Sequence, residues 1–538
     1  MAGVLLEKEA TQEDRSLPRW FRYIAIGLLV LGVFFRFYHL DRKAYWIDET
    51  HTSLRMSGHT KQEAIDELYT GEVISVDTLQ QYQQLEPDKG WDDTLNALQG
   101  NAEHTPLYFL MARLWVQAWG YSVTVMRSLP ALISLLLFPC LYWLCWELFR
   151  SPAVGWMAIA LVAISPLHVL YAQEARPYSL WAVLIVLSSA ILLWAIRSQH
   201  RLAWVGYGIT VALGLYTQLL FGVVVMAHAA YVLLTNGAPN GAPSKGWLNR
   251  TLVSYGLATI AGILAFLPWV VLILTNLEQV QETTITLTNR HSFAYLLDRW
   301  FLNMSLVLVD RELASANILM VGLVGYAIYY LVRHAPKSTR WFLLTLVGIP
   351  FLTLALPDLL MGGERSERIR YLFPSYIAIQ MTLAYLFASQ VLWAKTWRQR
   401  AWRVVFVALV WSAVLSCSIS SQAQVWWSKS NPRSGYYPVV SSIVNRSENT
   451  LLISDSKPPA DIIAFSYWLD PDISIQLIEN PNRLIVPAGF DSIYLLNPSS
   501  RLRNVMKRQN YRTVLMYIDR ADSEEPERRL WHVRKNPE

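Results

Sequence analysis

Asp48 and Glu49 stand side by side in Trp46-Ile47-Asp48-Glu49, just past a long apolar run. Acids at that place either solvate a helix end, with Tyr45 and Trp46 as interfacial belt residues, or supply an ionised general base within reach of a hydroxyl. Glu103-His104, in Glu103-His104-Thr105-Pro106-Leu107-Tyr108, are polar residues at a helix start or, together with Asp48, donors to a divalent metal. No HxH or HExxH spacing accompanies them. Glu174 and Arg176, in Glu174-Ala175-Arg176-Pro177-Tyr178, lie in a connection of about six residues between two apolar runs. They form an internal pair, or they divide into a second active-site carboxylate and a phosphate ligand. Arg365, Arg368 and Arg370 precede Tyr371-Leu372-Phe373-Pro374. A phosphate or pyrophosphate would account for three arginines there, with Glu364 and Glu367 offsetting part of their charge.

The elements that must position these residues are membrane spans. Hydrophobic residues make up 53% of the 538 and charged residues only 16%, against about 25% charged in soluble domains. The net charge of +6 follows from topological Lys and Arg and does not point to nucleic acid. Cys140, Cys145 and Cys417 sit in apolar runs with neither disulfide nor zinc-finger spacing. Apolar runs near 20–40, 126–148, 153–171, 178–196, 203–220, 221–235, 251–275, 314–332, 341–357, 371–393 and 402–420 predict about eleven transmembrane helices. The 203–235 stretch, broken only by Gln218, reads as two short helices or one long one. Residues 1–19 read as a cytoplasmic segment before a retained anchor.

Basic residues decide the parity. With the N-terminus cytoplasmic, every inside loop is basic: Arg150; Arg197 and Arg201; Lys245 and Arg250; Arg333, Lys337 and Arg340; Lys395, Arg398, Arg400 and Arg403. Reading 104–119 as a span would invert this pattern, so that run is expected to be an amphipathic helix in the interface. The outer face then receives 41–125, 172–177, 276–313, 358–370 and 421–538, and with them all the motifs above. The 41–125 loop is too long for a simple connector and contains a capping box at Thr60-Lys61-Gln62-Glu63. From 421 to 538, short apolar runs (450–454, 473–477, 492–496) and a helical patch at 435–445 predict a small extracytoplasmic α/β domain. Gly-Ala-Pro-Asn-Gly-Ala-Pro (237–243) reads as a cytoplasmic connector.

Asp48-Glu49 after the first run, then Glu-His-Thr-Pro-Leu-Tyr, Glu-Ala-Arg-Pro-Tyr and Arg-Tyr-Leu-Phe-Pro in this order, resemble the membrane glycosyltransferases of the GT-C superfamily. The likeness is nearest to bacterial members related to protein O-mannosyltransferases and lipid A aminoarabinose transferases, and covers about 20–420. It implies a polyprenyl-phosphate sugar donor, a lipid, glycan or protein acceptor, and inverting transfer on the extracytoplasmic face. It makes Asp48 the base with Glu49 supporting it and Glu174 a further carboxylate. Arg176, Arg368, Arg370 and Tyr371 would then hold the donor phosphate. Glu103, His104 and Tyr178 fall in the substrate vicinity, where some relatives hold a metal and others do not; Thr105-Pro106 stands where the family has Pro-Pro. No nucleotide cofactor is expected, in keeping with the lack of a P-loop or GxGxxG. A flippase for lipid-linked sugars would place ionisable groups near span centres, which here are nearly free of charge. A non-catalytic scaffold presenting the tail would tolerate alanine at Asp48 and Glu174.

Overall fold

The computed structural model of the chain describes residues 17–236, 250–284, 290–311, 313–392, 396–426, 431–519 and 528–535. Residues 1–16, the 237–243 connector, Lys245 and Lys395 lie outside them. A helix stands at each of the eleven expected runs. Among the described residues, seven helices are long and apolar enough to cross a membrane, or eight if one bent pair counts as a single span. The 203–235 stretch resolves into two helices, Arg201–Thr217 and Phe221–Asn236, with the break at Gln218. The chain is an integral membrane protein of mostly helical architecture, with a small α/β unit at its C-terminal end.

The expected continuous span 153–171 is corrected to two helices, Pro152–Ala163 and Pro166–Ala172, that meet at 60°. Pro166 cannot donate a backbone hydrogen bond, and it biases Ser165 away from helical geometry. A break inside an apolar layer exposes carbonyls, each costing several kcal/mol if unsatisfied. Arg36, fully buried near the end of the first span (Arg19–Phe37), meets that need. Its Nη1 donates to Gly32 O at 2.7 Å and Ala163 O at 2.6 Å, and its Nη2 to Val162 O at 3.2 Å. Gly32 permits the approach: a Cβ there would lie 2.2 Å from Ala163 O.

The two ends of the bundle differ. At one end Arg150 and Arg197 both pair with Glu147 at 2.8 Å, and Thr339 donates to Leu148 O at 2.7 Å. At the other end lie the first long loop and the tail. Ile47–Ser57 begins that loop and stops at Gly58, whose φ of +97° favours glycine. Thr60 and Glu63 form the expected capping box, Glu63 N donating to Thr60 Oγ1 at 3.1 Å. The run 104–119 becomes a 13-residue helix, Leu107–Trp119, about 20 Å long and too short to span. Its Arg113 is buried and donates to Met56 O at 3.1 Å and Thr94 Oγ1 at 2.7 Å, tying the loop's helices together.

The tail forms a sheet from β2 (Thr450–Ser454), β3 (Ser474–Ile478), β4 (Ser492–Leu496), β5 (Tyr511–Asp519) and β6 (Arg528–Lys535). The first loop adds β1 (Thr70–Ser75), giving the order β1-β3-β2-β4-β6-β5. The three central strands are parallel and the outer ones antiparallel. Helices Pro459–Ser466 and Ser500–Arg508 follow β2 and β4. Thus the unit expected from 421 to 538 alone draws a strand from 400 residues upstream.

Candidate active site

Asp48 sits in the first turn of Ile47–Ser57. Its carboxylate Oδ2 accepts from Arg370 Nη1 at 3.0 Å, a pairing across 322 positions of sequence. Its backbone carbonyl accepts from Arg176 Nη1 at 3.3 Å, and Arg176 also reaches Thr52 Oγ1, one helical turn on, at 3.3 Å. The three sequence motifs therefore converge on one point. Burial works to raise the Asp48 pKa, but the Arg176 and Arg370 guanidinium groups, with Arg433 adding to them, hold it well below the usual carboxylate range.

Glu49, its neighbour, has a different environment. It is fully buried, and Arg127 grips it in a fork, Nε to Oε1 at 2.8 Å and Nη2 to Oε2 at 2.6 Å. Ala175 N adds a bond to Oε1 at 2.9 Å. Arg127 in turn donates to Leu40 O at 2.6 Å, Lys43 O at 2.9 Å and Ala44 O at 2.9 Å. Glu49 and Arg127 thus lock together the segment before Asp48, the helix Val123–Leu135 and the turn that carries Arg176. Glu49 is placed to position Asp48. Nothing in the sequence singled out Arg127, whose lone position in a span would ordinarily be costly.

Glu174 is also fully buried and accepts from Trp46 Nε1 at 3.0 Å. The side-chain bonds of Arg176 go to Asp48 O and Thr52 Oγ1. Tyr178 lies under Arg176, with the guanidinium 5.9 Å from its ring, and Arg370 is 5.6 Å from the Tyr371 ring. Arg368 is paired with Glu364, and Arg365 with Asp358 at 3.0 Å; of the three arginines, Arg370 reaches Asp48.

A cavity of about 290 Å³ opens beside this cluster. Trp46, Arg299, Glu367, Arg368, Arg370 and Arg433 form its polar wall, while Leu167, Leu170, Leu302 and Leu306 line it with apolar surface. A space lined by four guanidinium groups against two carboxylates (Asp310 and Glu367), together with several leucines, suits an anionic head on an apolar chain. Arg299, within the helix Phe293–Val309, and Arg433, within the short helix Asn431–Ser434, escaped the sequence reading because no motif surrounds them.

Glu103 and His104 lie on the other side of Asp48, with His104 Nε2 3.9 Å from Glu103 Oε1. Burial, with the Arg55 and Arg176 charges, pushes the His104 pKa well down, and burial with Arg55 takes that of His51 to about 3. Among the described residues no group of three or more His, Cys, Asp or Glu side chains is arranged to hold a metal ion. Arg55, seven positions after Asp48 and so on the same helical face, is buried and donates to Asn101 Oδ1 at 3.1 Å. That spacing was a legible signal that the sequence reading passed over.

No protein-family profile matches the sequence, and no curated protein matches it. Solved structures do. The chain is similar to ArnT from Cupriavidus metallidurans bound to undecaprenyl phosphate, with a TM-score of 0.53 and 11% identity over 96% of this chain and 98% of that one. The apo state of the same protein gives 0.51 and 12% over 96% and 97%. The chain shares its overall fold with these ArnT structures. The oligosaccharyltransferase of Archaeoglobus fulgidus, tethered with an acceptor peptide, also matches at 0.44 and 12%, over 93% of this chain and 69% of that one.

Proposed function

We propose that the protein is an integral-membrane glycosyltransferase that moves a hexose or pentose from a polyprenyl-phosphate donor to a lipid, glycan or protein acceptor. The observation that carries this reading is Asp48, its carboxylate bonded by Arg370 and its backbone carbonyl by Arg176, beside the arginine- and leucine-lined cavity. The fold agrees with it, and the similar ArnT structure holds undecaprenyl phosphate. The basic bundle end fits a cytoplasmic side, and an extracytoplasmic cluster is the reading consistent with it.

In this mechanism the isoprenoid lies along the leucine side and the phosphate among the guanidinium groups. The acceptor hydroxyl oxygen attacks the anomeric carbon from the face opposite the phosphate. The bond from that carbon to the phosphate oxygen breaks, and its electron pair stays with polyprenyl phosphate. The acceptor proton passes to Asp48. In the free protein Asp48 is a weak base, because two cations stabilise its ionised form. A donor phosphate that draws Arg370 and Arg176 toward itself relieves that stabilisation, so donor binding raises the basicity of Asp48 when it is needed. The same arginines meet the charge that grows on the leaving group, which favours the transition state over the ground state.

Asp48→Asn preserves shape and removes the proton acceptor. Its transfer rate from a polyprenyl-phosphate sugar should fall by about 10²–10⁴-fold, with the unfolding temperature in detergent near that of the wild type. Full activity in this variant would remove Asp48 from the reaction.

A further inference from the structure

The polar wall of the cavity is not built by the membrane bundle alone. Arg299 comes from the helix Phe293–Val309 and Arg368 and Arg370 from the turns before Phe373, but Arg433 comes from the short helix Asn431–Ser434 that opens the C-terminal unit. We propose that Arg433 is a donor-phosphate ligand, so that the C-terminal unit completes the substrate site. This rests on the polyprenyl-phosphate reading above.

Three observations support the assignment. First, Arg433 stands on the cavity wall beside Trp46 and Arg370, and its charge reaches Asp48 on one side and Asp461 of the C-terminal unit on the other. Second, its position is fixed. Three and four residues on, Tyr436 and Tyr437 donate to the buried Asp461 at 3.4 and 3.1 Å, and Asp461 also takes Arg528 at 2.7 Å. Third, the whole unit is fastened to the site. Gln80 Nε2 donates to Ser466 O at 3.3 Å, Gln476 Nε2 to Gly71 O at 2.7 Å, and the Tyr121 and Tyr467 hydroxyls meet at 2.7 Å.

The chemistry gives such a residue a task. The donor is a phosphodiester with one negative charge, whereas the released polyprenyl phosphate is a monoester carrying about −1.5 to −2 at neutral pH. Arg370 is paired with Asp48 and Arg368 with Glu364. The extra charge on the leaving group calls for another guanidinium at the same cavity, and Arg433 supplies one from outside the bundle.

The test uses the full-length protein in detergent and radiolabelled undecaprenyl phosphate, with undecaprenol as the uncharged control. Arg433→Ala should weaken undecaprenyl phosphate binding about tenfold, the usual effect of one charged hydrogen bond, and leave undecaprenol binding unchanged. Arg433→Lys, which keeps the charge without the planar fork, should fall between and serves if the alanine variant does not fold. Wild-type affinity for the phosphate in a folded Arg433→Ala protein would overturn the assignment while leaving the donor reading intact. Equal loss for phosphate and alcohol would make Arg433 a structural residue only and overturn it too. A wild-type protein that does not bind undecaprenyl phosphate would instead overturn the donor reading itself.

Discussion

Replacing both members of the Glu49–Arg127 pair should cost clearly less than the two single replacements added together. Both side chains are fully buried, 1% exposed at Arg127 and 0% at Glu49, and their fork measures 2.6 and 2.8 Å. At about 4 Å between charge centres and an effective dielectric near 20, the Coulomb attraction is about 4 kcal/mol. Glu49→Gln strands the Arg127 charge and should cost about 3–5 kcal/mol of stability. Arg127→Met strands the Glu49 carboxylate and also leaves the Leu40, Lys43 and Ala44 carbonyls without their donor, at about 1 kcal/mol each or more. It should therefore be the worse of the two. The double variant removes both charges, and its loss should fall short of the sum by about 2–3 kcal/mol. The assay is equilibrium unfolding of the purified protein in mixed micelles, read for the wild type, both singles and the double. Additive losses, or a Glu49→Gln protein within about 0.5 kcal/mol of wild type, would refute the keystone role of the pair. Transfer activity should follow, because a 1 Å shift of Asp48 is enough to cost about 10²-fold in rate.

Other outcomes are equally open to measurement. The depressed Asp48 pKa adds stability above the unfolded carboxylate range near 3.9, which is lost only as pH falls through lower values. Wild-type kcat/KM should therefore show no acid limb from Asp48 at mildly acidic pH, whereas Arg370→Ala removes one of its two main cations and should move that limb upward; an unshifted profile would argue against the pairing. Lys43 is buried, and burial with the nearby Arg127 charge takes its pKa down to about 7, against the partial support of Asp310. The unfolded chain holds that proton up to about 10.4, so the Lys43 contribution to stability should rise with pH between about 7 and 10. Lys43→Met should flatten the slope; the same slope in both proteins would dismiss the effect. Arg36→Leu should destabilise by about 3–5 kcal/mol, because the carbonyls of Val162 and Ala163 lose their donor in an apolar layer; near-wild-type unfolding would mean another group takes its place.

Much of this was legible from local pattern. Apolar runs of sufficient length locate the helices, because each span satisfies its own backbone, and the capping box at Thr60 and strands β2, β3 and β4 follow from equally local rules. Asp48, Arg176 and Arg370 could be placed together because each follows or precedes an apolar run at the same end of the bundle. The failures share a cause. The bend at Pro166 was masked by the apolar character on both sides of it, the role of Arg127 depends on carbonyls more than 80 positions away, and Arg433 touches the site only through the packing of a separate unit. Strand β1 carries no apolar alternation strong enough to announce itself; its burial pattern is mostly exposed, and its partner is far along the chain.

That partner has a consequence for biogenesis. Thr70–Ser75 pairs with Ser474–Ile478, with Glu479 N on Tyr69 O at 3.2 Å and Gln476 Nε2 on Gly71 O at 2.7 Å. During synthesis the loop strand emerges roughly four hundred residues before the strand that receives it. Until then both of its edges are open to any other extended chain. The last-made part of the polypeptide thus seals the first-made loop, and a nascent protein arrested before residue 474 would display an unshielded ribbon at the membrane surface.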